Sequence, residues 1–186
     1  MVTIVLADDH AIVRQGLRTL LESDPQFEVV GEAADGREAI ELVRRRKPMV
    51  LIADLMMPGL NGLETTRKVL RLKSKTRVIV LSMYRNEAYV LEALKIGAAG
   101  YIAKESGGAE LFQAIREVVA GRRYLSPIIS EAASDSYSSM GTILKKVRAD
   151  SPDPHDTQTA PKRKVLQRGV APGRGPKPIR KKKNKK

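Results

Sequence analysis

The 186-residue chain has no cysteine, so a disulfide framework is excluded. No N-terminal stretch joins a basic region to an apolar core and a cleavage site, which argues against secretion. Its longest apolar runs are far too short to cross a bilayer. The expectation is a soluble, cytoplasmic protein without a membrane partner. Acidic residues are absent after Asp156 and aromatic residues after Tyr137. No GxxxxGK[ST] loop occurs, so the chain lacks that cradle for nucleotide phosphates.

What is present is unevenly distributed. Of the net charge of +13, residues 1–150 contribute +3, from 22 Lys and Arg against 19 Asp and Glu. Residues 151–186 contribute +10, from 12 against 2. The basicity therefore belongs to the C-terminal stretch, which Pro161, Pro172, Pro176 and Pro178 punctuate together with Gly169, Gly173 and Gly175. Such a composition resists packing. At this length one ordinary domain with its own core is expected, followed by a short second segment.

Four short apolar runs end in chemically particular residues: Thr3–Ala7 into Asp8 and Asp9, Met49–Ala53 into Asp54, Val78–Leu81 into Ser82, and Tyr101–Ala103 into Lys104. Near-continuous apolar runs of this length read as parallel strands buried on both faces. The residues just past them then crowd one end of a sheet, where open α/β sheets bind their ligands. Three carboxylates gathered there repel one another and call for cations. A hard divalent ion and Lys104 bring the formal charge to zero.

Helical signals alternate with these runs. Val13, Leu17, Leu20 and Leu21 form one apolar face of a helix that stops before Asp24-Pro25. Phe27–Val30 reads as a second strand. Further helices are expected over 36–47, 62–73, 86–97 and 107–121, with Asn86 as an N-cap and Gly97 closing its helix. Leu111, Ile115 and Val118, with Val119, give the last helix its core face. Five strands alternating with five helices predict a doubly wound parallel α/β sandwich with helices on both faces.

The quoted residues also carry a resemblance. The DDH at Asp8 to His10, DLMMPGLNGLE at Asp54 to Glu64, LSMY at Leu81 to Tyr84 and ALKIGAAGYIAKES at Ala93 to Ser106 resemble the receiver domain of bacterial response regulators, in wording closest to the NarL/FixJ (LuxR-type) group. Several motifs in the right order, each at a strand end, are far more specific than any one alone. The resemblance implies a flavodoxin-like (CheY-like) five-stranded sheet of order 2-1-3-4-5. The domain layout expected is a receiver over 1–125, a linker over 126–154 and a basic tail over 155–186.

The roles implied follow position by position. Asp54 would be the phosphoacceptor, attacking the phosphoryl group carried by a histidine kinase to give an acyl phosphate. Asp8, Asp9, Asp54 and the backbone carbonyl of Met56 would hold Mg2+. Lys104 would pair with a phosphoryl oxygen, and Ser82 would supply a hydroxyl once that group is present. The added charge would draw Ser82 and Lys104 inward. The fourth helix, fifth strand and fifth helix would respond, with Tyr101 as the aromatic that turns inward and Glu87 to Gly121 as a switch and homodimer face.

Blander readings stand beside these. An acidic pair after a strand is commonly a helix cap, and Asp9 suits the N-cap of the first helix. A lone Lys104 reads as a solvated lysine, Ser82 as a strand end, Tyr101 as core filler. His10 reads as a surface residue of the first helical turn, and Met56, Met57 and Met83 as packing or loop residues. An enzyme is not expected: phosphatases of the haloacid-dehalogenase type carry a second acid two residues past the nucleophile, where this chain has Met56. Slow self-hydrolysis of the phosphoaspartate, with Met56 and Tyr84 governing water access, is the limit of the turnover expected.

The output is less regular. QTAPKRKVLQRGVAPG at Gln158 to Gly173 resembles a damaged opening of a LuxR-type helix-turn-helix: Val165, Leu166 and Gln167 match, but Lys162 and Lys164 replace acids, Pro161 intrudes, and Arg168 and Gly169 fall at core positions. No recognition helix follows to reach base edges. Two outputs therefore compete. One is non-specific, salt-sensitive nucleic-acid binding by the basic tail. The other is a receiver with a degenerate effector, descended from a DNA-binding transcription regulator and acting through protein contacts or as a phosphate sink.

Overall fold

Strands and helices alternate as β1 (Val2–Ala7), α1 (Ala11–Glu22), β2 (Phe27–Ala33), α2 (Gly36–Arg46), β3 (Val50–Asp54), α3 (Gly62–Arg71), β4 (Arg77–Ser82), α4 (Glu87–Ile96), β5 (Gly100–Ala103), α5 (Gly108–Val119) and β6 (Tyr124–Leu125). The computed structural model describes residues 1–84 and 86–129. The expected tail over 155–186 and all but the first four residues of the expected linker lie outside the described residues.

All strand pairings are parallel, in the order β2-β1-β3-β4-β5-β6. The expected order 2-1-3-4-5 is present, with β6 added at the β5 edge. Period-2 alternation sorts the strand residues. Ile4, Leu6, Val50, Ile52, Ile79 and Leu81 face one way, packing with Leu21 of α1 and Leu111, Ile115 and Val118 of α5. Val5, Ala7, Leu51, Ala53 and Val78 face the other, against Ala39, Ile40 and Val43 of α2 and Val69 of α3. Val80, Tyr101 and Ala103 meet Val90, Ala93 and Leu94 of α4 on that same side. Because both faces are covered, the central strands are apolar throughout, which is why they read as runs rather than alternations.

Local chemistry sets the helix starts. Asp35 accepts from the N–H groups of Arg37 and Glu38 at α2, and Asn61 with Glu64 forms a reciprocal capping box at α3. Asn86 caps α4 by accepting from the Ala88 N–H, and Gly97 closes that helix at φ 106°. At α1 the expectation fails. The N-cap is His10 rather than Asp9, and no side chain caps it. The neighbouring Asp8 carboxylate takes the His10 N–H instead, at 2.8 Å.

One glycine fixes how α3 enters the sheet end. A Cβ on Gly62 would lie 2.3 Å from the Asp54 carbonyl oxygen and 2.9 Å from Leu55 Cα, both backbone atoms that cannot step aside. Gly62→Ala is expected to destabilise the fold by about 3 kcal/mol in urea unfolding. Gly16→Ala, at an exposed α1 position with nothing within 4 Å of the new Cβ, should instead stabilise by about 0.5–1 kcal/mol. Equal midpoints for the two variants would refute the close-approach argument.

Candidate functional site

The reversal of strand order around β1 opens a crevice at the carboxyl ends of β1 and β3. Register brings the expected residues to it. Ala7 pairs with Ala53, so Asp8 leaves β1 beside Asp54 at the end of β3. Ser82 pairs with Ala103, and the Lys104 N–H donates to the Ser82 carbonyl at 2.8 Å, placing both across the same edge.

Lys104 bridges two buried acids. Its Nζ lies 2.6 Å from Asp8 Oδ2 and 2.8 Å from Asp54 Oδ2. Asp8 is 1% exposed and Asp54 4%, so this ammonium is their neutralising partner from within the chain. Burial pushes the Asp54 carboxyl above its ordinary range, the charge of Asp8 adds to this, and the Lys104 ammonium with a Met56 backbone hydrogen bond only partly offsets it. Burial works against the charge of Lys104, but hydrogen bonds to Asp54 and Asp8 outweigh it and hold this lysine above its usual value.

Asp9 and His10 complete an acidic cluster. Ligand-capable atoms of Asp8, Asp9, His10 and Asp54 all lie within 4.8 Å of one another. One lysine cannot neutralise three carboxylates, and clustered carboxylate oxygens are hard donors; the residues present fit a hard divalent cation. His10 Nδ1 is 2.8 Å from Asp9 Oδ1 and 3.3 Å from Asp8 Oδ1. Sequence reasoning gave His10 no part, because the turn that folds it back over both acids is not visible in a one-dimensional pattern.

Ser82 and Tyr101 are both fully buried and share a partner. Ser82 Oγ accepts from the Tyr84 N–H at 2.9 Å, while the Tyr101 hydroxyl donates to the Tyr84 carbonyl at 3.0 Å. The loop after β4 is thereby tied to β5 through one residue. Burial pushes the Tyr101 phenol up, keeping it protonated and a donor. Met57 packs in the core beside α2, whereas Met56, Met83, Tyr84 and Ile12 stand exposed on loops and the first helical turn at the same sheet end, forming an apolar rim.

Two further contributors were missed from sequence. Arg14 of α1 donates from Nη1 to the Asp8 carbonyl at 2.6 Å, fixing the exit of β1. Beyond α5, the Ser126 N–H donates to the Tyr101 carbonyl at 3.0 Å, its hydroxyl contacts Ser106 and Glu110, and Ile129 is buried against α4. The start of the expected linker is thus built into the β5 edge. Its signal was the pair of apolar dipeptides Tyr124-Leu125 and Ile128-Ile129 around Ser126-Pro127, too short to count as a strand.

Residues 4–116 match a family model described as the response regulator receiver domain. The chain is 38% identical over 136 residues to the transcriptional regulatory protein DegU of Brevibacillus brevis, an alignment covering 73% of this chain and 58% of that protein. It is 40% identical over 131 residues to the response regulator GacA of Pseudomonas aeruginosa, covering 70% and 61%. The chain therefore spans about three fifths of the length of these curated relatives. Among solved structures, a LuxR-family two-component response regulator from Aurantimonas superposes with a TM-score of 0.70 at 41% identity, covering 73% of this chain and 97% of that one. A structure of two RcsB dimers bound to DNA gives a TM-score of 0.65 at 28% identity, covering 70% and 66%. No helix among the described residues is long and apolar enough to cross a membrane.

Proposed function

The chain belongs to the response regulator receiver family, and from that premise we propose that it accepts a phosphoryl group on Asp54 from a sensor histidine kinase, in a Mg2+-dependent reaction, and passes the change to transcription. The observation that carries this reading is the Asp8–Lys104–Asp54 bridge: a buried carboxylate held beside a cation at the topological switch point of the sheet.

In the reaction a carboxylate oxygen of Asp54 bonds to phosphorus as the P–N bond of the donor phosphohistidine breaks, leaving a neutral imidazole after proton uptake. Asp8, Asp9, Asp54 and the Met56 carbonyl would hold Mg2+, which when bound neutralises phosphoryl oxygens. Lys104 moves its charge from the carboxylates to the phosphoryl group, and Ser82 turns its hydroxyl toward the same group. The Ser82 shift pulls on Tyr84, the residue that also anchors Tyr101, so the α4-β5-α5 face and the Tyr124–Ile129 segment feel it. The apolar rim of Ile12, Met56, Met83 and Tyr84 suits a helical protein surface presenting the phosphohistidine.

The protein is a switch rather than a turnover enzyme, since Met56 stands where a phosphatase of the haloacid-dehalogenase type has its second acid. Dimerisation through the α4-β5-α5 face would follow phosphorylation; RcsB is seen as dimers bound to DNA. A second output reading rests on the net charge of +10 over residues 151–186: non-specific nucleic-acid binding by the tail, or a receiver without sequence-specific DNA binding at all. Acetyl phosphate with Mg2+ should add one phosphoryl group to the full chain, mapped to the Asp54 peptide and lost with chelator. An unmodified chain, or modification elsewhere, overturns the proposal.

A further inference from the structure

The cations of the folded unit are gathered on one side of it. Residues 36–77 hold eleven Lys and Arg against four Asp and Glu, whereas the rest of 1–129 holds eight against twelve. Two open clefts lie along this α2–α3 face. One, of about 500 Å³, is lined by Arg44, Lys47, Lys73 and Lys75 over an apolar floor that includes Val43 and Leu72. The other, of about 680 Å³, adds Arg37 and Lys68, and shares Arg44 and Leu72 with the first. The two form one groove.

Helix dipoles explain only part of this charge. Arg44 and Lys68 stand in the last turns of α2 and α3, where cations are favoured. Arg37 sits in the first turn of α2, where a cation is disfavoured, and Lys47, Lys73 and Lys75 lie beyond the helices. Lys47 and Lys73 adopt φ values of 48° and 52°, and they are the non-glycine residues with positive φ among the described residues. The corresponding turns after α4 and α5 use Gly97 and Gly121. Lysine at positions that glycine fills without strain points to a need for its charge.

The loops that carry these lysines are fixed. The buried Thr76 hydroxyl donates to the Pro48 carbonyl at 2.7 Å, and the Arg77 N–H donates to the Met49 carbonyl at 2.9 Å. Among the described residues, of the six cations named only Arg44 has an acidic partner, Glu41 at 2.9 Å. Neither cleft is lined by an aromatic residue, so stacking on a base is not available. The groove runs the length of α2, about 16 Å, which matches about four phosphates along one strand of a duplex.

We infer that this groove along α2 and α3 binds the phosphate backbone of duplex nucleic acid without reading its sequence. The groove's cations are different residues from those of the basic tail, and the groove acts whether or not the tail contributes.

The test is a salt titration of the full chain against a labelled random-sequence duplex. A variant carrying Arg44→Gln, Lys47→Gln, Lys73→Gln and Lys75→Gln should lower the slope of log affinity against log salt by about 3.6, since each of the four phosphate contacts contributes about 0.9. The same loss should appear in a chain whose Lys181, Lys182 and Lys183 are also changed to Gln, which separates groove from tail. Phosphoryl acceptance from acetyl phosphate serves as the folding control; should the fourfold variant fail it, Arg37→Glu with Lys75→Glu, both exposed, replaces it. An unchanged slope, or a wild type that does not bind the duplex, overturns the inference. So does loss of tripolyphosphate binding with duplex binding intact, which would make the groove a small-anion site.

Discussion

Asp54→Asn is expected to take up no phosphoryl group from acetyl phosphate and Mg2+, while becoming more stable than the wild type in metal-free buffer at neutral pH. The first effect follows from chemistry, because an amide oxygen is too weak a nucleophile to form the acyl phosphate. The second follows from the environment of Asp54. Burial and the charge of Asp8 raise its pKa above that of an unfolded aspartate, so folding favours its neutral form. The stability this brings is fully present below the ordinary aspartate pKa and is lost as pH rises through the raised value. Asparagine keeps the neutral form at every pH, and Lys104 retains Asp8 at 2.6 Å as its partner. The gain should be on the order of 1 kcal/mol at pH 7, as at other sites where function opposes stability, and should fade toward acid pH. Thermal melts of both chains across pH, run with chelator, measure it. A stabilised variant that cannot be phosphorylated shows that the loss is chemical and not a folding defect; a variant less stable than wild type at pH 7 would contradict the electrostatic account of Asp54.

The fold and its site were legible for different reasons. Strand runs such as Val50–Asp54 are buried on both faces, so their apolar continuity survives in the sequence, and each ends at a residue whose polarity is out of place unless it belongs to a site. Asn86 and Gly97 mark the limits of α4 by chemistry that is local to a turn. Asp8, Asp54, Ser82 and Lys104 are gathered by the sequence pattern alone because parallel strands send all their carboxyl ends to one edge. What could not be read depends on contacts distant in sequence or on turn geometry. Arg14 reaching the Asp8 carbonyl, the fold-back of His10, and the place of Ser126 beside Tyr101 all require the tertiary arrangement. Strand β6 has two residues, and it forms through the β5 edge it joins and the α5 core into which Tyr124 packs. The α2–α3 groove was hidden for a third reason: its cations are scattered over forty residues and look like separate solvated positions until the helices lie side by side.

Lys104→Met should be the most destabilising change at the site that leaves the shape of the side chain nearly intact. Methionine keeps an unbranched chain in the same space but removes the one ammonium between Asp8 and Asp54, whose side chains are 2% and 5% exposed. Removing one partner of a buried pair costs about 3–5 kcal/mol, because the other charges are left without compensation. Here the loss should sit near the lower figure, since Asp54 can escape by taking up a proton. With Lys104 gone, burial and Asp8 both raise the Asp54 pKa, and the opposition left is the Met56 backbone hydrogen bond. Its folded-state pKa therefore climbs further above the unfolded value. The deficit is largest at neutral and higher pH and shrinks as pH falls through that raised value. Mg2+ supplies the missing positive charge by another route, so its addition should recover more stability in the variant than in the wild type, where it competes with Lys104 for the same oxygens. Urea unfolding at several pH values, with and without Mg2+, gives both comparisons. A deficit that ignores pH and Mg2+ alike would mean that Lys104 supports the fold through its methylenes alone, and the charge balance on which the site rests would have to be abandoned.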